Sequence, residues 1–437
     1  MTIKDFTGFA AGIFIAFSMS CSHNKKLVSK TPPIPPAQAP HSADEKEDDF
    51  MLRLFSTRPS LFDSIIANKN KWNVQVIYTQ INRDKAGNPS FVTHQFNNHP
   101  DRYFYPASTV KLPVVLLALQ KLKQLNIAGL HKYSSMITEA ATAAQTAVYN
   151  DPNSADGRPS VAQYIKKILL VSDNDAFNRL YEFVGQEAIN RQLHKMGYPQ
   201  TQIIHRLNIF LPEQENRSSN PIYFTDSNNH VLYRQPMQVS KLQYARRKDS
   251  LGHAYYNNAE LVNRPMDFSK KNRLPLEELH GILRSIIFPE SVPAARRFDI
   301  SDADRKFVLQ YMSQYPRESA MPAYDPAVYP DAFGKMILFG NAKENVPPQI
   351  RSFSKAGWAY GQLTETAYII DTLKKVEFMV SATINCNTDG IYNDDKYDWQ
   401  GLGYPFMKNL GLLLYHYELN RDRKYTPNFD NLLFSYN

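Results

Sequence analysis

The segment Tyr103-Phe-Tyr-Pro-Ala-Ser-Thr-Val-Lys-Leu-Pro113 begins a strongly helical part of the chain. After Ser108, apolar residues recur at helical spacing as far as Leu125. Proline has no amide hydrogen, so Pro113 fits a helix only in its first turn. We therefore predict a helix over Ser108–Leu125. Because residues three apart share a helical face, Lys111 is expected to lie beside the Ser108 hydroxyl.

Strand patterns lie at both ends of the chain's folded part, with helical patterns between them. Trp72–Ile81 alternates as a half-buried strand does, and Phe91–Phe96 follows a turn as the returning strand. Residues 161–170 and 176–184 predict an all-helical subdomain. Near the C-terminus we predict three strands and a helix, at Ser354–Tyr360, Glu365–Asp371, Val376–Ile384 and Leu402–Leu419. The order predicts an α+β fold, in which one antiparallel sheet built from both termini is flanked by helices.

The first 50 residues differ in composition from the rest. Residues 1–21 carry a positive charge, a short apolar run and small residues before Cys21, which predicts a signal peptide. The cysteine resembles the lipid-modified residue of bacterial lipoproteins. Residues 22–50 are proline-rich and then charged, as in a disordered tether. We therefore expect a lipid-anchored envelope protein, facing the periplasm from the outer membrane, with its folded domain at 51–437.

Composition excludes several classes of protein. Fifty basic and 42 acidic residues give a net charge of +8 over 437 residues, with no dense basic helix to bind nucleic acid. Two cysteines rule out a disulfide scaffold and a Cys-rich zinc domain, and Cys386 lies in an apolar run that predicts a core position. The histidines form no zinc-hydrolase motif. We predict no metal and no cofactor.

Three short motifs supply groups for nucleophilic catalysis. A serine needs an adjacent base, and a lysine buried near other cations loses its proton readily, so Lys111 can activate Ser108. The backbone N–H of Ser108, at a helix start, can bind a developing oxyanion. Ser172-Asp-Asn174 lies between two helices, where its side chains can project into a cleft. Lys355-Ala-Gly357 lies in a predicted strand, where the lysine can attract a carboxylate.

In this order, the three motifs resemble those of the class A β-lactamase and penicillin-binding serine hydrolases. The resemblance spans about residues 65–420 and implies the β-lactamase/transpeptidase-like fold. It also implies roles for single residues. Ser108 would form the acyl-enzyme, Lys111 would be the base, Ser172 the proton shuttle, Asn174 and Lys355 with Gly357 the substrate-binding groups, and the N–H groups of Ser108 and Trp358 the oxyanion hole.

The chain departs from the family pattern at three places. Ile204 stands where the family has its deacylating glutamate, ahead of Leu207-Asn208. Glu213 or Glu215 could replace that base, with Glu215 the candidate, or neither glutamate acts as a base. His205 is expected to be structural. Ala356 replaces the usual serine or threonine, which should weaken binding of compact carboxylated β-lactams. The chain between the last two motifs is long, and we assign the excess to insertions at 223–272 and 316–345.

These features predict a serine hydrolase that opens β-lactam amide bonds, with a small β-lactam or a peptidoglycan stem peptide as partner. Two alternatives stay open. One is a peptidoglycan D,D-peptidase or slowly deacylating penicillin-binding protein. The other is a non-catalytic envelope protein that binds cell-wall peptides. The oligomeric state is open.

Overall fold

A computed structural model describes residues 49–436. The predicted signal peptide, Cys21 and nearly all of the predicted tether lie outside the described residues. The first helix begins at Asp49, two residues before the predicted start of the folded domain. None of the helices in the described part is long and apolar enough to cross a bilayer.

The helices and strands follow each other in one α+β chain. The helices are α1 (Asp49–Ser56), α2 (Pro59–Ala67), α3 (Lys111–Leu125), α4 (Val161–Val171), α5 (Asn174–Val184), α6 (Gln186–Lys195), α7 (Glu213–Arg217), α8 (Leu276–Ile287), α9 (Asp302–Ser313), the short α10 (Met336–Phe339) and α11 (Tyr404–Asn420). The strands are β1 (Gln75–Arg83), β2 (Pro89–Phe96), β3 (Ser135–Thr138), β4 (Ile222–Thr225), β5 (Val231–Gln235), β6 (Ser250–Leu251), β7 (Ala254–Asn257), β8 (Glu260–Val262), β9 (Met266–Asp267), β10 (Ile350–Ala359), β11 (Gln362–Asp371), β12 (Val376–Asn385) and β13 (Ile391–Tyr392).

The main sheet joins the two ends of the domain. Its five strands run in the order β10-β11-β12-β1-β2, with antiparallel pairing throughout. The predicted α+β fold, with a sheet built from both termini, is therefore confirmed. Strand β2 begins at Pro89, two residues before the predicted Phe91; an edge strand tolerates proline because one side of it makes no ladder hydrogen bonds.

Strand β1 differs from the prediction, because it is buried on both faces rather than on one. Ile77 packs into a core that includes α3 and α8, whereas Val76 and Tyr78 pack into a second core that includes α1 and α11. The strand is central in the sheet, and helices cover each face. Cys386 is fully buried in the second core, and burial raises the pKa of its thiol.

The predicted insertions contain their own short strands. Strand β4 pairs with β3 on one side and with β5 on the other, and β6 pairs with β9. Strands β7 and β8 form a hairpin that pairs in parallel with β13, which follows the last strand of the main sheet. The segment from residue 316 to 345 contains one helical turn at Pro316–Glu318 and the short α10.

Candidate active site

Ser108 lies in a tight turn rather than at the start of the regular helix. Ala107–Val110 forms one 3-10 turn, and α3 begins at Lys111. Thr109 closes the turn, because its backbone N–H and its hydroxyl both donate to Pro106 O, at 3.1 and 2.7 Å. Ala107 has a φ of +45°, which changes the chain direction immediately before Ser108. The Ser108 side chain stays partly exposed, on a cavity of about 380 Å³.

Gly357 allows the edge strand β10 to touch this turn. A Cβ atom at Gly357 would lie 2.5 Å from Ser108 N and 2.8 Å from both Pro106 O and Thr109 N. These are backbone atoms, which cannot rotate aside as a side chain can. Position 357 therefore needs glycine, since only the missing side chain lets strand and turn come this close.

Lys111 is completely buried beneath the turn. Its Nζ donates to Ser172 O at 2.5 Å and to Asn174 Oδ1 at 2.7 Å, and it lies 3.2 Å from Ser172 Oγ. Burial, and then the positive charge of Lys355, hold the pKa of Lys111 well below its usual value, while Asp173 opposes them. In the part of the chain that the structure describes, Lys111 Nζ makes no hydrogen bond to the Ser108 hydroxyl.

The Ser172-Asp-Asn174 motif spans the junction of two helices. Ser172 ends α4 in the left-handed conformation, with φ 59° and ψ 39°. Asp173 caps the next helix, because its side chain accepts a 2.7 Å hydrogen bond from Ala176 N. The cap and the left-handed residue together turn Ser172 and Asn174 toward Lys111.

Lys355 reaches the same group from the sheet. Its Nζ donates to Ser172 Oγ at 2.8 Å and to Ala356 O at 2.9 Å. Burial, followed by the positive charge of Lys335, lowers the pKa of Lys355 to about 7. Ser172 Oγ therefore lies between two lysine amines that both have lowered pKa values. That hydroxyl can accept a proton from one amine and pass a proton to the other.

Sequence reasoning missed two charged residues near Lys355. Lys335 is buried and donates to Met312 O at 2.5 Å and to Ser352 O at 2.8 Å on the edge strand. Glu365 lies opposite Ala356 in the β10–β11 register and accepts from the backbone N–H groups of Met336 and Ile337. Burial raises the pKa of Glu365 to about 7. Neither residue belongs to a motif, so only the tertiary structure brings them here.

The structure places the remaining predicted residues as follows. Asn174 and Trp358 line the Ser108 cavity, and the Trp358 ring packs edge-on against Phe333. Ala356 is fully buried in the second core and does not line that cavity. A hydroxyl at its position would therefore face packed side chains in this conformation.

The candidate deacylation bases lie away from Ser108. Glu213 is exposed and paired with Arg217 and Lys270, at 2.9 and 3.1 Å, and it lines a neighbouring cavity. Glu215 lines neither cavity. Ile204, at the expected glutamate position, lines the neighbouring cavity only. Among the described residues that line the Ser108 cavity, the one carboxylate is Asp395.

His205 and Arg206 hold the loop that replaces the expected glutamate segment. His205 lines both cavities, stacks parallel to Tyr105 with 6.1 Å between ring centroids, and has its Nδ1 2.5 Å from Arg206 O. Burial lowers the pKa of His205 to about 4, so its ring is neutral at pH 7. The buried Arg206 guanidinium pairs with Glu182 at 2.8 Å and donates to Glu215 O and Ser218 O.

In the described part of the chain, no group of three or more His, Cys, Asp or Glu side chains could hold a metal ion.

Comparisons with known proteins find a family match over part of the chain and similar solved structures. Residues 62–242 match the model of the beta-lactamase enzyme family. No curated protein sequence matches the chain significantly. Similar solved structures include a beta-lactamase from Burkholderia phymatum (12% identity, TM-score 0.46, 83% of this chain and 98% of that one) and a class A beta-lactamase from Clostridium kluyveri DSM 555 (12%, 0.45, 79% and 96%).

The family match contains the first two motifs, and the third motif at Lys355 lies beyond its end. The lysine nevertheless contacts the second motif directly, through Ser172. Residues 62–242, which include Ser108, Lys111 and Ser172, are therefore similar to the beta-lactamase enzyme family.

Proposed function

We propose that the protein opens the amide bond of β-lactams through a covalent acyl-enzyme on Ser108. The observation that carries this proposal is the environment of Lys111. Its amine is fully buried, its pKa is lowered well below the usual value, and it contacts Ser172, which also contacts Lys355. A neutral amine at this position is the base that a serine nucleophile requires.

In the proposed acylation step, Ser108 Oγ attacks the amide carbonyl carbon and the Lys111 amine takes the hydroxyl proton. The two N–H bonds of the neutral amine are directed to Ser172 O and Asn174 Oδ1, which leaves its lone pair to accept that proton. Ser172 then passes a proton to the leaving nitrogen and recovers one from Lys111. The amide C–N bond breaks and a Ser108 ester remains.

Backbone and cationic groups would stabilise the charges of this step. The N–H groups of Ser108 and Trp358 are assigned to the oxyanion, and the contact of Gly357 with Ser108 N supports this assignment. Lys355, with a pKa of about 7, would carry a positive charge on a large fraction of molecules at neutral pH and attract a substrate carboxylate.

A specific observation also favours a second candidate, a penicillin-binding protein or D,D-peptidase whose acyl-enzyme hydrolyses slowly. Fast hydrolysis of the ester needs a base that activates water beside Ser108. Glu213 is held by two cations outside the Ser108 cavity, and Glu215 does not line it. Both candidates share the acylation step and differ only in the lifetime of the adduct.

Turnover of a chromogenic cephalosporin by the wild type and a Ser108→Ala variant tests the shared proposal. We expect ring opening by the wild type, as turnover or as one stoichiometric burst, and none by the variant. The absence of both in the wild type would favour the non-catalytic peptide-binding alternative. Mass spectrometry of the adduct over time, in wild type, Glu213→Gln and Glu215→Gln, then separates the two candidates. A longer adduct lifetime in either variant would identify that glutamate as the base.

We also propose that the chain is a lipid-anchored envelope protein, on the composition of residues 1–21 and the cysteine at their end. A Cys21→Ala variant tests this proposal independently of activity. We expect metabolic labelling with a fatty acid, and recovery in the membrane fraction, in the wild type but not in the variant. Equal labelling of both would exclude Cys21 as the anchor.

A further inference from the structure

A second cavity adjoins the one that holds Ser108. It measures about 1020 Å³ against about 380 Å³. The residues that line both are His205, Ile209, Phe210 and Lys271. The Lys271 ammonium lies at this junction, 5.7 Å from the Phe210 ring centroid and 5.6 Å from that of Tyr360. The two cavities therefore adjoin each other, and we call the larger cavity the side groove.

The loop from 204 to 217 and the segment from 243 to 271 form most of the walls of the side groove. Fully buried Asn272 joins these walls, because its Oδ1 accepts from the backbone N–H groups of Ile204 and His205 at 2.8 and 3.1 Å. Its Nδ2 donates back to His205 O at 3.2 Å. The walls are therefore fixed to each other next to Lys271.

A buried guanidinium holds the second wall in place. Arg247 donates to the backbone carbonyls of Phe268, Ser269 and Lys271, and its charge is balanced by Asp249 at 3.1 Å. Three carbonyls bound by one side chain fix the course of the segment that carries Lys270 and Lys271. Hydrogen bonds of the fold itself therefore hold this wall of the groove in place.

Positive charge predominates along the side groove. Six basic side chains line it (Arg217, Arg246, Arg247, Lys248, Lys270 and Lys271) against the two carboxylates of Glu213 and Asp267. Glu213 is shared by Arg217 and Lys270. Within the described part of the chain, no carboxylate pairs with Arg246, Lys248 or Lys271. Arg246 and Lys248 are exposed. These three cations can therefore take an anionic ligand without breaking an existing ion pair.

We propose that the side groove binds a carboxylate-bearing arm of an extended peptide substrate whose scissile amide lies at Ser108. This inference rests on the proposed acylation of Ser108, which both candidate functions share, and adds the class of substrate. The groove adjoins the Ser108 cavity, so a substrate chain that continues from an amide bond at Ser108 can extend into it. The Ser108 cavity alone has the volume of a small-molecule site, and the side groove adds more than twice that volume. Carboxylates of the substrate would supply the negative charges that pair with Arg246, Lys248 and Lys271.

Binding of two fluorescein-labelled peptides, pentaglutamate and pentaglutamine, tests the proposal by anisotropy on the full-length Ser108→Ala protein. This protein binds without acylating, so the outcome does not depend on the chemistry. We expect a preference for pentaglutamate of roughly three- to tenfold at low ionic strength, shrinking toward one in 1 M salt. Lys271→Gln, and Arg246→Gln with Lys248→Gln, should each reduce this preference.

A matched control removes two exposed lysines that line neither cavity, through Lys374→Gln with Lys408→Gln. This control should keep the preference, which separates the groove from the net charge of the protein. Pentaglutamate should also slow labelling of wild-type Ser108 by a fluorescent penicillin more than pentaglutamine does. Equal binding of both peptides, or an equal loss of preference in control and groove variants, would overturn the proposal. Failure of the proposed function would instead appear as no penicillin adduct on Ser108.

Discussion

The Lys355 ammonium donates a 2.8 Å hydrogen bond to the hydroxyl of Ser172, a residue 183 positions earlier in the chain. The same hydroxyl lies 3.2 Å from Lys111 Nζ. One serine therefore connects an amine whose pKa is held well below its usual value with a second amine whose pKa is about 7. In the proposed mechanism this arrangement separates the two tasks of the lysines, since Lys111 would take a proton and Lys355 would offer a positive charge.

Replacing Lys111 should abolish most acylation. A Lys111→Met variant keeps a buried side chain of similar length but has no lone pair to accept the Ser108 proton. We expect the rate constant for Ser108 acylation by a penicillin to fall about 10²- to 10⁴-fold, measured by quenched-flow mass spectrometry.

Lys121 provides the matched control for that measurement. It is a largely buried lysine on the same helix, but it donates to Phe183 O and Gln235 Oε1, away from Ser108. Lys121→Met should lower stability and leave acylation near the wild-type rate. An equal loss of acylation in both variants would mean that Lys111 acts through the packing of the helix alone.

The pKa of Lys355 predicts an alkaline limit for carboxylate-bearing substrates. As pH rises through about 7, Lys355 loses the charge that attracts the carboxylate. Acylation should therefore fall above pH 7, by about 10- to 100-fold at the plateau, which is the value of one charged hydrogen bond. The pH profile of acylation by a carboxylate-bearing β-lactam and by its methyl ester measures this. The ester should lack the alkaline fall, and an identical fall for both would contradict the role given to Lys355.

The close approach of Gly357 to Ser108 predicts an effect of one added methyl group. Gly357→Ala places a carbon against three backbone atoms of the serine turn, so turn and strand must separate. We expect acylation to fall by about 10²-fold, because a shift of about 1 Å misplaces the nucleophile. Gly281→Ala is the control, since its added methyl group meets only the Tyr198 ring, at 3.4 Å. Unchanged acylation in Gly357→Ala would show that the contact is not needed.

His280 predicts how stability depends on pH. Its ring is buried between Thr79 Oγ1 and Ser381 Oγ, at 3.0 and 2.8 Å, and burial lowers its pKa to about 3. Between pH 3 and 6.5 the unfolded chain therefore binds a proton that the folded protein does not, so stability falls as pH falls. Because of His280, the free energy of unfolding should be about 2 kcal/mol lower at pH 5 than at pH 6.5.

Urea unfolding at both pH values checks the prediction for His280. His280→Gln should lose that part of the pH dependence, whereas a variant of exposed His416, His416→Gln, should keep it. If His280→Gln and the wild type lose equal stability between pH 6.5 and 5, the histidine is protonated without cost in the folded state.

The parts of the structure that depend on local sequence were predictable. Apolar spacing indicated the helix after Ser108 and the strands at both ends, and the capping residues around Ser172 indicated the helix junction. The tight turn at Ser108 was not predictable, because Ala107 has a positive φ, which alanine as a residue type does not favour.

Long-range contacts were not predictable from one sequence. Lys335 lies in a segment without a periodic pattern and reaches β10 through its hydrogen bond to Ser352 O, whereas the register of β10 and β11 brings Glu365 near Lys355. The pairing of β7 with β13 likewise joins residues more than a hundred positions apart. The motifs predicted which residues meet at the site, whereas their burial and pKa values depend on residues outside the motifs.

Both candidate functions begin with attack of the Ser108 hydroxyl on an amide carbonyl. Mass spectrometry of the protein after brief exposure to a penicillin at pH 7, followed by peptide mapping, tests it most directly. We expect one adduct with the mass of the intact penicillin, located on Ser108 in the wild type and absent from Ser108→Ala. No adduct on the wild type, or an adduct that persists in Ser108→Ala, would contradict it.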